Sequence, residues 1–235
     1  MLLITPLGDM ALQVQVGETI DEPTHRRVQA VWRALTAAPI PGVTEIVPAY
    51  TTVTVFYDPR LAVQAGAPPS NLFDWLAVKV GERMKNPPKA EKLKRRTVEV
   101  PVCYEGDFGP DLALVAKQAR ITPEEVVKRH GKADYLVHLV GFAPGFPYLG
   151  GLPGELETPR HAKPRMAVPP GSVGIGGKQT GIYPLATPGG WNLIGRTPLK
   201  LFRPAEDPPV LLRAGDRVKF RAITRDEFAK LEAEQ

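Results

Sequence analysis

The chain has 235 residues, 43% hydrophobic and 23% charged, with a formal net charge of +5, which excludes disorder along its whole length and allows one large domain or two modest ones. Its single cysteine, Cys103, excludes an internal disulfide and a cysteine zinc cluster and fits a reducing cytoplasm. No stretch approaches the ~18 apolar residues of a membrane span, and the opening MLLITPLGDMALQV lacks the basic region of a signal peptide, so a cytoplasmic chain away from membranes is expected. The four histidines, His25, His130, His138 and His161, show no metal-ligand spacing, so no metal site is expected.

In chain order, residues 2–16 alternate around a turn at Gly8-Asp9 and predict two strands. Val28, Val31, Trp32 and Leu35 recur at helical spacing and predict a helix over 21–37, stopped by Pro39-Ile40-Pro41-Gly42. Strands follow over 43–49 and 51–57, the second ended by Asp58-Pro59-Arg60. A helix over 70–84, capped by Ser70 or Asn71, buries Leu72, Trp75, Leu76 and Val80. Two helices on one antiparallel sheet make a small α+β domain over residues 1–86, in which nothing carries chemistry. Residues 87–96 read as a basic linker, with Lys89, Lys92, Lys94, Arg95 and Arg96 following a Pro-Pro pair. That run has no aromatics, which favours a solvated face over a nucleic-acid contact.

The second domain is expected over 97–235. TVEVPVC (97–103) alternates as a strand, and the loop EGDFGPD follows. Two short helices come next, over 110–120 from Pro110 and Asp111, and over 122–130 from the capping box Thr122-Pro123-Glu124-Glu125 to His130-Gly131. Short strands are then predicted over 135–140, 165–168, 172–175, 181–186, 191–195, 198–203, 210–212 and 217–223. Such strands at close spacing suggest a closed β-barrel. A terminal helix over 224–235 is capped by Thr224. His130 reads as a favourable charge at a helix end, His138 as a core histidine, and His161 as a loop residue with no Ser-His-Asp order around it.

Three glycine-rich runs hold the candidate chemistry. In 141–154, five glycines and three prolines share fourteen residues with three aromatics. Proline stiffens such a loop and glycine lets backbone approach a ligand, so Phe142, Pro144, Gly145, Phe146 and Tyr148 are candidate pocket residues; the competing reading is a buried loop plugging a barrel end. The run PPGSVGIGGKQTGIYP (169–184) fails both the P-loop and the dinucleotide patterns. Its Gln179 and Thr180 could orient an amide or carboxylate, or could form a polar hairpin turn. In TPGGWNLIGRTP (187–198), Trp191 beside Gly189 and Gly190 could stack a flat ligand and Arg196 could clamp a carboxylate; a core tryptophan and a surface arginine are the alternatives. Arg160, Ser172 and Tyr183 complete the expected substrate-binding set.

Taken together, HLVGFAPGFPYLGGLP, TPRHAKPRMAVPPGSVGIGGKQTGIYPLATPGGWNLIGRTPLKLF and LLRAGDRVKF resemble the family of the B subunit of bacterial 5-oxoprolinase, also called allophanate hydrolase subunit 1 and the KipI-type histidine-kinase inhibitor. The resemblance implies an α+β fold: a small N-terminal α+β domain followed by a cyclophilin-like β-barrel. It implies a complex with the A and C subunits of 5-oxoprolinase that opens the lactam of 5-oxoproline to glutamate with ATP as co-substrate, this chain being inactive alone. On that reading Gln179, Thr180, Arg196 and loop N–H groups would serve as the catalytic donors around developing negative charge. Two other activities share the resemblance: an inhibitor whose barrel grips the helical bundle of a histidine kinase, and a carboxyltransferase or allophanate hydrolase component of urea metabolism.

Overall fold

Residues 3–85 and 96–234 are described by the structure, a computed structural model. The chain falls into two units, Met1–Lys94 and Arg95–Gln235. Apart from Arg96, the predicted linker over 87–96 lies outside the described residues. Arg96 itself belongs to the second unit, where its guanidinium hydrogen-bonds Asp216 and the Leu211 carbonyl.

The first unit follows its apolar periodicity. Strands β1 (Leu3–Pro6) and β2 (Ala11–Gln15) are followed by helix α1 (Glu22–Thr36), strands β3 (Val43–Pro48) and β4 (Thr52–Tyr57), and helices α2 (Pro59–Gln64) and α3 (Leu72–Lys85). The antiparallel sheet has the order β1-β2-β4-β3. Leu12, Val14, Val53 and Val55 project from one sheet face into a core shared with Val28, Leu35, Leu76 and Val80 of the helices. Helix α2 has no counterpart among the expected elements. The Asp58 carboxylate accepts from the N–H groups of Arg60 and Leu61 and starts a helix with Pro59 in its first turn. Six residues are too few to show a helical period.

The second unit opens with β5 (Thr97–Cys103), then α4 (Leu112–Ala119) and α5 (Pro123–Lys132). Strands β6 (Tyr135–Val140), β7 (Pro147–Gly150), β8 (Arg165–Val168), β9 (Ser172–Gly176), β10 (Gln179–Ile182), β11 (Thr187–Gly189), β12 (Asn192–Arg196) and β13 (Arg217–Ile223) follow, and α6 (Arg225–Ala233) ends it. Seven of these strands close a barrel in the order β10-β7-β6-β13-β5-β12-β9, and β11 pairs with β8 as a separate ribbon. Val100, Val102, Val137, Leu149, Val173, Ile175, Ile182 and Val218 are buried together as its core. The expected mixed α+β class with a closed barrel is therefore what the chain forms.

The details differ in instructive places. Strand β7 lies inside the run expected to be a loop, and residues 198–203 and 210–212 contribute only one isolated bridge, Phe202 to Val210. The capping threonines behave as predicted: Thr122 accepts from Glu125 N–H and Thr224 from Glu227 N–H. Helix α5, however, continues past His130 to Lys132. No helix among the described residues is long and apolar enough to cross a membrane, and no group of three metal-ligating side chains occurs among them.

Candidate functional site: an aromatic cluster and its charged rim

Strand alternation sorts β9 and β10 into two faces. Val173, Ile175, Thr180 and Ile182 are fully buried toward the barrel interior. The outward positions between them are all glycine: Gly174, Gly176 and Gly181. A methyl group built on Gly176 would lie 2.6 Å from the Trp191 indole, and one on Gly181 would lie 3.0 Å from both Trp191 and Phe146. The glycine strip is thus a flat floor for an indole.

Trp191 is buried on this floor with Phe146, Tyr183, Leu193 and Val168, forming an apolar cluster separate from the barrel core. Its rings meet edge to face: Phe146 lies 5.6 Å from Trp191, 5.2 Å from Tyr183 and 4.8 Å from Tyr148, centroid to centroid. Such pairs contribute about 0.5–1.5 kcal/mol each beyond burial. Gly189 packs against the Tyr183 ring so closely that a Cβ there would sit 2.5 Å from its hydroxyl. Phe142 stands at the edge of the cluster, 64% exposed, with its ring 5.5 Å from Phe146. Its φ of 69° is left-handed backbone, which costs a bulky residue roughly 1–3 kcal/mol and is held only by a stiff surround. The stiffness comes from Gly145, φ +84°, packed against the Leu201 carbonyl, and from the exposed Pro144 before it.

A charged rim borders these rings. Asp111 occupies the N-cap position of α4, yet its carboxylate makes no capping bond. One oxygen, Oδ2, accepts from the Leu193 N–H at 2.7 Å, and the other accepts from Arg165 Nη2 at 2.8 Å. His161 Nε2 faces Oδ2 at 3.3 Å, buried and without a hydrogen bond. The loop carrying His161 is pinned by its own N–H on the Gly190 carbonyl and by the Asn192 amide on the Pro159 carbonyl. Arg160, exposed, places its guanidinium carbon 5.6 Å from the Trp191 ring centre. Burial pushes the Tyr148 and Tyr183 hydroxyls above the ordinary phenol value; Arg160 opposes this at both, and a hydrogen bond with the Trp191 backbone opposes it at Tyr183. One carboxylate set among two guanidiniums and an imidazole leaves a net positive edge on a flat aromatic wall. That combination suits a small planar anion.

A second polar cluster lies inside the barrel. His130 is completely buried, with Nδ1 2.9 Å from the Tyr104 hydroxyl and Nε2 3.1 Å from Thr180 Oγ1. Thr180 gives its one hydroxyl proton to the Gly174 carbonyl at 2.9 Å. It must therefore accept from Nε2–H, which leaves Nδ1 to accept from Tyr104. Burial lowers the His130 pKa from 6.5 to about 3, so the ring is neutral. The expectation of a cationic helix-end histidine is corrected: α5 runs two residues further, and the ring faces the barrel, stacked 4.4 Å from Phe220.

The structure gathers Phe142, Phe146, Tyr148, Arg160, Tyr183, Gly189, Gly190 and Trp191 into one region, with Pro144 and Gly145 in the loop that carries two of them. Of the expected catalytic donors, only Gln179 lies on the outer face near it, paired with the Gly176 that underlies Trp191. Thr180 is spent inside the barrel. Gln179 pairs with Gly176 and Arg196 with Ser172, at opposite ends of β9 and on either side of it. That places them about 13 Å apart along the strand and ~10 Å across it. Arg196 donates to the Pro170 carbonyl and lies over Phe228 of α6 at 5.9 Å, and Ser172 is buried. The shared cleft expected for Gln179 and Arg196 does not form. Asp111, His161 and Arg165 stand beside these residues and are absent from the expected site set. The one available signal is the basic run PRHAKPR lying between the aromatic loops. A groove of about 390 Å³, lined by Tyr104, Glu105, Leu112 and Val127 among others, shares no lining residue with the cluster.

The family model described as carboxyltransferase domain, subdomain C and D, matches residues 2–212. The chain is 48% identical to the B subunit of 5-oxoprolinase from Bacillus subtilis (strain 168), covering 96% of this chain and 94% of that protein. It is 43% identical to the B subunit of 5-oxoprolinase from Escherichia coli O157:H7, covering 91% and 93%. Among solved structures it resembles the crystal structure of TTHA0988, with a TM-score of 0.75 and 37% identity over 91% of this chain; the match spans 40% of that longer chain.

Proposed function

The chain belongs to the carboxyltransferase-domain family, subdomain C and D, and on that premise we propose that it is one component of an ATP-dependent 5-oxoprolinase working with the A and C subunits. The observation that carries this is the 48% identity to the Bacillus subtilis protein across 96% of the chain. The reaction opens the lactam of 5-oxo-L-proline to L-glutamate while ATP is hydrolysed to ADP and phosphate. A lactam is a stable amide. Phosphorylating its oxygen makes the ring carbon open to water; the adduct expels the ring nitrogen as the amine of glutamate, and a second water releases phosphate from the acyl phosphate that remains, which is the chemical reason for ATP.

The cluster's contribution on this reading is to bind and orient. The aromatic wall takes the flat ring, the arginines take the carboxylate, and tight packing excludes water from one side. Gly174, Gly176 and Gly181 of the glycine-rich run are covered by Trp191, which favours an ATP site built with the partner subunits. The test is co-expression with the A and C subunits, following glutamate release and ADP formation together. The reading requires both products in the full complex and neither from this chain alone. Absence of coupled products, together with inhibition of a sensor kinase's autophosphorylation, would assign the chain to the kinase-inhibitor class. Transfer of a carboxyl group to urea would assign it to urea metabolism.

A further inference from the structure

We propose that Arg165, His161 and Arg160 form an anion-recognition site over Trp191 that captures the carboxylate of a small planar ligand on this chain by itself. The inference rests on the 5-oxoprolinase reading for the choice of ligand, but its geometry does not. Three observations converge. Asp111 is nine-tenths buried and accepts from Arg165 Nη2 at 2.8 Å, the Trp191 carbonyl accepts from Nη1 at 3.5 Å, and the Arg165 side chain still keeps 32% of its surface exposed. A guanidinium held on one edge by a carboxylate offers its remaining N–H donors in a fixed direction.

His161 supplies the second observation. Its Nε2 is buried 3.3 Å from Asp111 Oδ2 yet has no hydrogen-bond partner, while 27% of the side chain is exposed. Buried polar nitrogens are ordinarily satisfied, and an exception calls for an occupant or a rearrangement. A ligand carboxylate that draws the ring by a fraction of an ångström would pair both nitrogens at once.

The third observation is the charge and shape of the surround. Two arginines outweigh one aspartate by one unit before any ligand arrives, the His161 imidazole not counted. Trp191, Tyr148 and Phe142 supply the flat wall beside that charge. A surplus of one charge suits one carboxylate and is too small for a polyphosphate. A nucleotide would also want a run of free backbone amides, and Gly174 and Gly176 lie beneath the indole.

Calorimetric titration of the full chain with 5-oxo-L-proline, 2-pyrrolidinone, inorganic phosphate and ADP tests this, with ¹⁹F spectra of 5-fluorotryptophan-labelled protein to locate the contact. The expected result is saturable binding of 5-oxoproline that shifts the Trp191 signal, identified by its loss in Trp191→Phe. Pyrrolidinone, which lacks the carboxylate, and Arg165→Gln should each weaken binding about 10- to 100-fold, as loss of a charge-assisted bond does. Arg165→Lys should recover part of that loss. Asp111→Asn keeps an acceptor for Leu193 N–H but loosens Arg165, so it should reduce the preference for 5-oxo-L-proline over its D enantiomer that this geometry predicts for the native chain. No binding, equal binding of pyrrolidinone, tighter binding of ADP or phosphate, or unchanged affinity in Arg165→Gln overturns the site. Coupled lactamase activity with the A and C subunits separates the two ideas. Activity without carboxylate binding by this chain removes the site and keeps the reading, and binding without activity does the reverse.

Discussion

The barrel carries two polar clusters, one inside and one outside, and they are built on opposite rules. Inside, Tyr104, His130 and Thr180 form a neutral chain in which every donor has a taker, ending on the Gly174 carbonyl. Outside, Asp111, Arg165 and Arg160 are charged and stand with the His161 imidazole, whose buried Nε2 has no hydrogen-bond partner. A satisfied neutral network fixes the position of α5 against the barrel and has nothing left for a ligand. The outer cluster has unspent donors and unbalanced charge. Burial alone would have ranked the inner histidine as the more interesting one; the count of satisfied bonds reverses that order.

The comparison breaks most visibly through substitution of the inner cluster. His130→Ala removes a buried ring, orphans the Tyr104 hydroxyl and takes away the N–H that Thr180 accepts, so it should cost roughly 3–5 kcal/mol in urea unfolding of the barrel unit. Under conditions where the variant remains folded, ligand affinity at the outer cluster should be unchanged. An effect on affinity larger than the effect on stability would show that the two clusters are coupled.

On the outer side, Gly176→Ala places a methyl group 2.6 Å from the Trp191 ring. The indole must lift, which should cost about 1–3 kcal/mol and disturb the Trp191 signal. An unperturbed signal would mean that the glycine strip is not the floor described here.

Acid provides a smaller and graded test. His130 has its folded-state pKa held near 3 against 6.5 unfolded, so between those values the unfolded chain binds a proton that the folded chain refuses. Stability from this residue is therefore complete above pH 6.5 and falls on acidification, by up to about 1.4 kcal/mol per pH unit, until the folded pKa is reached. Stability measured from pH 7 to pH 4 should fall less steeply in His130→Phe than in the native chain. Identical slopes would mean that the imidazole is not neutral in the fold. The smallest effect belongs to Arg196→Gln, which removes one bond to Pro170 and a contact with Phe228 and should change stability by no more than about 0.5–1 kcal/mol.

How much of this could be read from residues alone follows from the range of the signals. Alternation and capping act within a few residues, so the sheets, the Thr122 and Thr224 helix starts and the closed barrel were legible. Strand β7 was hidden because Pro147 and Gly150 punctuate it, and α2 because it is barely more than one turn. The gathering of Phe142, Phe146, Tyr148 and Trp191 was foreshadowed by aromatics among glycines, where a plain turn needs none. The role of those glycines was not, because Gly176 clears space for an indole fifteen positions away. Asp111 was invisible for a related reason. An aspartate at a helix start reads as a cap, and its true partner, Arg165, lies 54 residues further along. Thr180 and Gln179 are adjacent in sequence, but strand alternation sends their side chains to opposite faces.

The assignment of function to the outer cluster is tested most directly by kcat/KM for 5-oxoproline in the assembled complex, comparing Arg165→Gln with Arg196→Gln. The account predicts at least a tenfold loss (~1.4 kcal/mol) for Arg165→Gln and near-native activity for Arg196→Gln. Loss of activity in Arg196→Gln with retention in Arg165→Gln would place the chemistry at the other end of β9 and contradict it.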